Sequence, residues 1–223
     1  MKSELLICND PKSAFSEAIR TLRTNIQFSL TANNAKTFMI TSSLPGDGKS
    51  FISSNLSIAF AMTNLKVLII DCDMRKGRLH QLFDIPNEKG LSNLLLDDIK
   101  NIKKYIIKTK VDNLSIIPIG IIPPNPSELL NSEKFSKLVN NLKNTYDLII
   151  FDTPPIESVT DPLIIAKYVD EAVIVTSYKR TPMEDLVESK KALEASGVKI
   201  AGVVINKMEN RKGSKYYYDK YYS

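Results

Sequence analysis

Four short runs in this 223-residue chain carry side chains suited to phosphate chemistry. The first is Ser43-Leu44-Pro45-Gly46-Asp47-Gly48-Lys49-Ser50, continued by Phe51. Gly46 and Gly48 let the backbone curl so that its N–H groups converge on phosphate oxygens, and a helix beginning there adds the positive end of its dipole. Lys49 has the reach for β- and γ-phosphates, and the Ser50 hydroxyl suits Mg²⁺. The run fits a P-loop except at its first position, where Ser43 replaces the usual glycine. A plain glycine turn capping a helix is the competing reading. The second run is Asp71-Cys72-Asp73-Met74-Arg75. Alternation along a strand puts Asp71 and Asp73 on one side, where two carboxylates repel unless a cation such as Mg²⁺ lies between them. The third, Ile149-Ile150-Phe151-Asp152, ends an apolar run in an acid, as a Walker B segment does beside its metal. For both, ordinary loop polarity is the alternative. Taken together, Ser50, Asp71, Asp73 and Asp152 are the candidate Mg²⁺ ligands. The site they describe binds Mg²⁺ and a nucleotide such as ATP.

The fourth run is the end of the chain, where Tyr216, Tyr217, Tyr218, Tyr221 and Tyr222 are five of the nine tyrosines. Each hydroxyl can accept a phosphoryl group. An adhesive peptide or a last strand on a sheet edge would have the same composition. Just before it, Lys207 to Lys215 is basic, which suits a solvated connector or a contact with anionic lipid or nucleic acid. The connector reading is preferred, and no nucleic-acid partner is expected.

These residues need a scaffold that brings strand ends together. Thr37–Thr41, Val67–Ile70, Leu114–Ile117, Leu148–Phe151, Ala172–Val175 and Ile200–Ile205 read as strands, several apolar on both faces. Lys49–Met62, Glu133–Asn144 and Met183–Ala195 read as helices. Asn125-Pro126-Ser127-Glu128 has the N-cap, N1 and N3 residues of a helix start. The alternation predicts an α/β fold, doubly wound, with a mostly parallel sheet and helices on both faces. Ligands then bind at the carboxyl ends of the strands, where all three phosphate and acid runs fall.

Composition is that of an ordinary globular protein, 43% hydrophobic and 25% charged, with a net charge of +5. Length allows one large domain, expected over residues 1–210, followed by a tail at 211–223. Cys8 and Cys72 give neither a disulfide framework nor metal-ligand spacing. Residues 1–10 hold only a brief apolar run, and no stretch nears the ~18 apolar residues of a membrane span, so a cytoplasmic location is expected. His80, with no nucleophile or metal partner placed near it, reads as structural.

The P-loop, Ile70-Asp71-Cys72-Asp73-Met74-Arg75-Lys76, Ile150-Phe151-Asp152-Thr153-Pro154-Pro155, Pro123-Pro124-Asn125-Pro126-Ser127-Glu128-Leu129-Leu130 and the tyrosine tail together resemble the bacterial tyrosine kinases. The resemblance is to the CapB/CpsD-like cytoplasmic subunits of capsule and exopolysaccharide systems, and it spans essentially the whole chain. It implies ATP-dependent autophosphorylation of the tail tyrosines in trans. Asp71 would then activate the attacking hydroxyl, Asp73 and Asp152 with Ser50 would hold Mg²⁺, and Lys49 would neutralise phosphate charge. Arg75 would steady phosphate or form a structural salt bridge. Asn206 matches a position where related ATPases read adenine; a strand-end turn residue is the alternative. Glu17, Arg20 and Arg23 fit the family's E-x-x-R-x-x-R motif on an N-terminal helix at about 13–30, which implies a contact between subunits of a homo-oligomeric ring. By itself that spacing also suits a solvated i,i+3 ion pair. The resemblance further implies a membrane-embedded activator that recruits the chain to the inner membrane face, and a cognate tyrosine phosphatase. One departure is Gly77, where the family more often has proline, and it is expected to loosen the turn after Arg75.

A partitioning or positioning ATPase of the ParA/MinD type is the rival, since it shares the three motifs without a protein substrate. Those proteins carry a lysine where this chain has Leu44, and they lack a tyrosine tail. An inactive, nucleotide-binding scaffold is a third reading.

Overall fold

The computed structural model describes residues 3–97 and 99–208. Seven strands form one sheet: β1 (Thr37–Ser42), β2 (Val67–Asp71), β3 (Ile107–Lys108), β4 (Leu114–Ile117), β5 (Leu148–Asp152), β6 (Glu171–Ser177) and β7 (Lys199–Asn206). Their order is β3-β4-β2-β5-β1-β6-β7. Every neighbouring pair is parallel except β3–β4 at one edge. The doubly wound, mostly parallel fold expected from the pattern is present.

Strands β1, β2 and β5 are buried at every residue because helices cover both faces. Alternation divides their side chains between two cores. Phe38 and Ile40 of β1 join Ile69 of β2 and Ile150 of β5 on one face, under α1 (Leu6–Asn9), α2 (Ala14–Ala32), α3 (Lys49–Ala61) and α4 (Leu79–Phe83). Met39, Leu68, Ile70, Ile149 and Phe151 point the other way. There they meet α5 (Leu91–Leu96), α6 (Pro126–Leu130), α7 (Glu133–Lys143), α8 (Asp161–Ala166) and α9 (Met183–Ala195).

Local chemistry sets the helix starts. Ser13 caps α2 by accepting the Ser16 N–H at 3.2 Å, and Ser132 caps α7 by accepting that of Phe135 at 3.3 Å. Helix α6 starts where expected, with Pro126 in its first turn, but the Asn125 side chain makes no cap. It donates instead to Glu128 Oε2 at 3.2 Å. The elements the pattern did not reveal are the two-residue β3 and the short helices α1, α4, α5 and α8, none longer than six residues. Such pieces are too short to display a period.

The register is what serves the site. Strand β2 pairs with β5 so that Asp71 lies opposite Asp152, and β1 pairs with β5 so that Ile40 lies opposite Asp152. The two acids therefore end adjacent strands beside the loop that follows β1. Phe151, next to Asp152, packs edge-on against fully buried Phe135 of α7 at 6.3 Å between ring centres, and Tyr168 packs on Phe135 at 5.2 Å. Truncating Phe135 to alanine removes the centre of this group, at a cost of about 3–5 kcal/mol. Thermal unfolding followed by circular dichroism is expected to show Tm lowered by roughly 6–15 °C.

Candidate active site

The loop between β1 and α3 is held by its carbonyl edge. Arg180 donates to Pro45 O at 3.0 Å and Gly46 O at 3.2 Å, Lys207 Nζ to Gly46 O at 2.7 Å, and Asn206 Nδ2 to Asp47 O at 2.8 Å. The Asp47 carboxylate accepts the Leu44 N–H at 3.3 Å and the Thr181 hydroxyl at 2.8 Å. With these carbonyls turned outward, the amide edge is left for an anion. Gly48 sits at φ 97°, and a Cβ there would collide with Asn206 Nδ2, so the turn requires glycine. Pro45, Gly46, Gly48, Lys49, Ser50, Phe51 and Asn206 line a cavity of 630 Å³, a volume that suits a nucleotide. Ser43 is fully buried behind the loop.

Asp73 lines the same cavity, and its carboxylate accepts from Lys49 Nζ at 3.1 Å and from the Lys76 N–H at 2.9 Å. Asp71 lies deeper. Its two oxygens accept the N–H groups of Asp73 at 3.2 Å and Leu79 at 3.1 Å. Gly77 presses on it from above: a Cβ there would strike the Asp71 carboxylate and Ile119 Cδ1. The Gly77 N–H also donates to Asp73 O at 2.7 Å, a bond that proline could not make. The turn after Arg75 is thus closed around the acid pair, where the sequence had pointed to a looser one.

Asp152 is fully buried, and neither carboxylate oxygen has a hydrogen-bond partner among the described residues. The Ser53 hydroxyl, near enough to act on this carboxylate, donates instead to Ser50 O at 3.1 Å. Burial pushes the Asp152 carboxyl up to about 6, with Lys49, Ser50 and Ser53 pulling it back. Burial and then the charge of Asp152 push Asp71 well above the usual carboxylate range. Burial works to lower the Lys49 pKa, but Asp152 and Asp73 outweigh it and leave it raised. An orphaned buried carboxylate is costly in an apolar interior and fits a site built for a cation. Mg²⁺ commonly takes one or two carboxylates and completes its shell with phosphate oxygens and water. Asp152, Asp73 and Ser50 could hold it in that way. No group of three or more acidic, histidine or cysteine ligands forms a closed cage among the described residues.

Other candidates lie further out. Arg75 Nε donates to Asp161 Oδ2 at 3.1 Å, and the Ser127 hydroxyl donates to Asp161 Oδ1 at 2.6 Å, so the structural salt bridge is the one formed. Arg75 still borders the cavity. Asn206 lines the cavity too, while its Oδ1 accepts the Lys207 N–H at 2.8 Å in a strand-end turn. Glu17 and Arg20 form the i,i+3 pair at 2.7 Å, one-third exposed on each side, and Arg23 turns inward to donate to Ala59 O of α3 at 3.3 Å. Residues Tyr216, Tyr217, Tyr218, Tyr221 and Tyr222 lie outside the described residues. Sequence reasoning missed Arg180, Thr181 and Asp161. The first two follow the carboxyl end of β6, the position at which a parallel sheet presents its ligand-facing loops.

The family described as AAA domain matches residues 35–196. CapB of Staphylococcus aureus is 42% identical over 97% of this chain and 94% of its own length. Tyrosine-protein kinase YwqD of Bacillus subtilis is 38% identical over 98% of this chain and 92% of its own. The chain belongs to the bacterial tyrosine kinases. Among solved structures, the chimerical protein CapA2B2 superposes with a TM-score of 0.89 at 39% identity, covering 94% of this chain and 92% of that one. The septum site-determining protein MinD of Pyrococcus horikoshii, solved with Mg-ADP, has a TM-score of 0.67 at 23% identity over 79% of this chain and 72% of its own, a likeness of fold. This kinase is thus an ATP:protein-tyrosine phosphotransferase on the P-loop scaffold, with a seven-stranded mostly parallel sheet. No helix among the described residues is long and apolar enough to cross a membrane.

The raised Asp152 carboxyl makes stability depend on pH. Its folded pKa of about 6 stands above the ordinary 3.8, so its contribution is fully present below pH 3.8 and lost as pH rises through 6. A shift of this size corresponds to about 3 kcal/mol. Asp152→Asn is expected to raise the Tm of the Mg²⁺-free kinase at pH 8 by roughly 5 °C, with little change at pH 4. Differential scanning calorimetry with and without Mg²⁺-ADP checks this, the variant losing the rise in Tm that the wild type shows on ligand addition.

Proposed function

We propose that this kinase transfers the γ-phosphoryl group of ATP to tyrosines of its own C-terminal cluster, Tyr216, Tyr217, Tyr218, Tyr221 and Tyr222, on a neighbouring copy in a ring. The observation that supports it best is the unpartnered Asp152 carboxylate beside the Lys49–Asp73 pair, at the foot of a cavity whose rim includes Asn206 and Lys207. Lys207 is the last residue but one before the undescribed C-terminal segment, so the tail starts at the nucleotide loop. Tyr216 to Tyr222 follow it by 9 to 15 residues, a span of roughly 30–50 Å when extended.

In this reading Asp73 and Asp152 with Ser50 hold Mg²⁺, which neutralises charge on the transferring phosphoryl group when bound. Lys49 exchanges Asp73 for phosphate, and the loop amides stabilise the non-bridging oxygens. Asp71, basic because it is buried beside Asp152, accepts the proton of the attacking tyrosine, whose own pKa is near ~10. Arg75, held by Asp161 and Ser127, presents its outer edge to phosphate. Helix α2, with Glu17, Arg20 and Arg23, forms the contact between ring subunits. A membrane-embedded activator presents a cytoplasmic segment to the kinase, a partnership supported by the likeness to the chimerical CapA2B2. A tyrosine phosphatase resets the tail, and the cycle regulates synthesis and export of capsule or exopolysaccharide.

Incubation of the purified chain with Mg²⁺-ATP and activator segment, followed by mass spectrometry, is expected to find phosphate on the tail. Lys49→Met is expected to lower the rate by roughly 10²–10³-fold. ATP hydrolysed with no phosphate on Tyr216–Tyr222 would instead support the ATPase switch. Five phosphates add roughly −7.5 to −10 to a chain of net charge +5. That repulsion is expected to open the ring, so sedimentation should report a smaller assembly after phosphorylation; equal masses would count against it.

A further inference from the structure

A second cavity of 460 Å³ lies behind the Arg75–Arg78 segment, on the far side from the P-loop. Arg75, Lys76 and Arg78 border both cavities, so this one segment forms the wall between them. Gly77, His80, Gln81, Asn87, Ile119 and Ile122 line the rest of the second cavity. No acidic side chain among the described residues lines it. Carboxylates stand behind this wall rather than in the cavity: Asp71 lies against Gly77 and Asp73 accepts the Lys76 N–H at 2.9 Å, while Asp161 holds Arg75 at 3.1 Å and Glu4 approaches Arg78 at 3.7 Å. Lys76 forms no ion pair among the described residues. The cavity's aliphatic lining is Ile122, 65% exposed, and the buried Ile119.

Cations facing an exposed aliphatic surface at this scale match an aryl phosphate. The phosphate oxygens meet the guanidinium and ammonium groups, and the ring lies on Ile122. We infer that this cavity binds phosphotyrosine, and that its occupant is a tail tyrosine already phosphorylated on a second copy of the chain. The inference rests on the tail-phosphorylation reading. The spacing of acceptors fits it: Tyr216–Tyr218 and Tyr221–Tyr222 are separated by Asp219-Lys220. In a peptide extended at ~3.3 Å per residue, tyrosines three to six apart span roughly 10–20 Å. One phosphotyrosine docked behind the wall keeps the next acceptor beside the nucleotide. Phosphorylation then proceeds through the cluster without release of the tail.

The test uses the full chain saturated with Mg²⁺-ADP, which fills the first cavity. A labelled peptide of residues 209–223, with or without phosphate on Tyr222, is titrated by fluorescence polarisation. The phosphorylated peptide is expected to bind at least 10-fold more tightly, and both Gln81→Glu and Ile122→Glu to erase that difference. Both positions are exposed and border only the second cavity, so circular dichroism and Mg²⁺-ADP affinity should match the wild type. Equal binding of the two peptides, a preference that survives in both variants, or displacement by inorganic phosphate at the peptide's own concentration would each overturn the inference. In the full chain, intact mass spectra at partial conversion are expected to show unmodified and multiply phosphorylated species in the wild type, and accumulated singly phosphorylated species in the variants. A singly phosphorylated ladder in the wild type would also overturn it. Should no chain carry phosphate at all, the tail-phosphorylation reading fails, and the peptide titration still decides whether the second cavity binds phosphotyrosine.

Discussion

Three buried carboxylates and one ammonium group, packed where β2 and β5 end, constrain everything else in this structure. Asp71 and Asp152 are opposed in register and Asp73 is two residues on, with Lys49 bonded to Asp73 at 3.1 Å. A dry interior penalises such a cluster, and each group answers the penalty differently. Asp71 takes two backbone N–H bonds, Asp73 takes Lys49 and a backbone N–H, and Asp152 takes none. The unmatched charge is what a divalent cation and polyphosphate would complete. Ligand binding and the electrostatic relief of the fold are therefore one event.

The glycine-containing loop after β1 is shaped by residues far away in the chain. Its carbonyls are held by Arg180, Asn206 and Lys207, more than 130 residues downstream. Asn206 ends the last strand and Lys207 follows it. The end of β7 is thus bonded to the carbonyls of the loop whose amide edge is left for an anion. The opposite wall, Asp73 to Arg78, is tied on one side to Asp161 and Ser127 and on the other to Asp71 through the close approach of Gly77. Two walls braced from separate elements enclose the cavity while leaving its mouth lined by cations.

The six principal strands and three of the four long helices, α3, α7 and α9, were legible because their apolar patterns run long enough to show a period. The P-loop was legible because glycine, lysine and serine at that spacing have few other uses between a strand and a helix. Short helices such as α4 and α5 were not, since five or six residues show less than two turns of pattern. Nor were Arg180, Thr181 and Asp161, whose partners stand on distant segments. Asn125 has the residue type of a cap yet bonds Glu128, because a local side chain competed for it.

Sequence alone determined the chemistry on offer: a phosphate-binding loop, acids at strand ends and a tyrosine cluster, each encoded by residue type within a few neighbours. Tertiary structure decided which of those groups meet and in what state. Sheet register placed Asp71 against Asp152, burial left Asp152 unpartnered and its carboxyl raised, and packing turned Arg75 toward Asp161. The division has a physical cause. Backbone conformation and hydrogen-bonding type are local properties, whereas desolvation and charge pairing depend on atoms brought together from all along the chain.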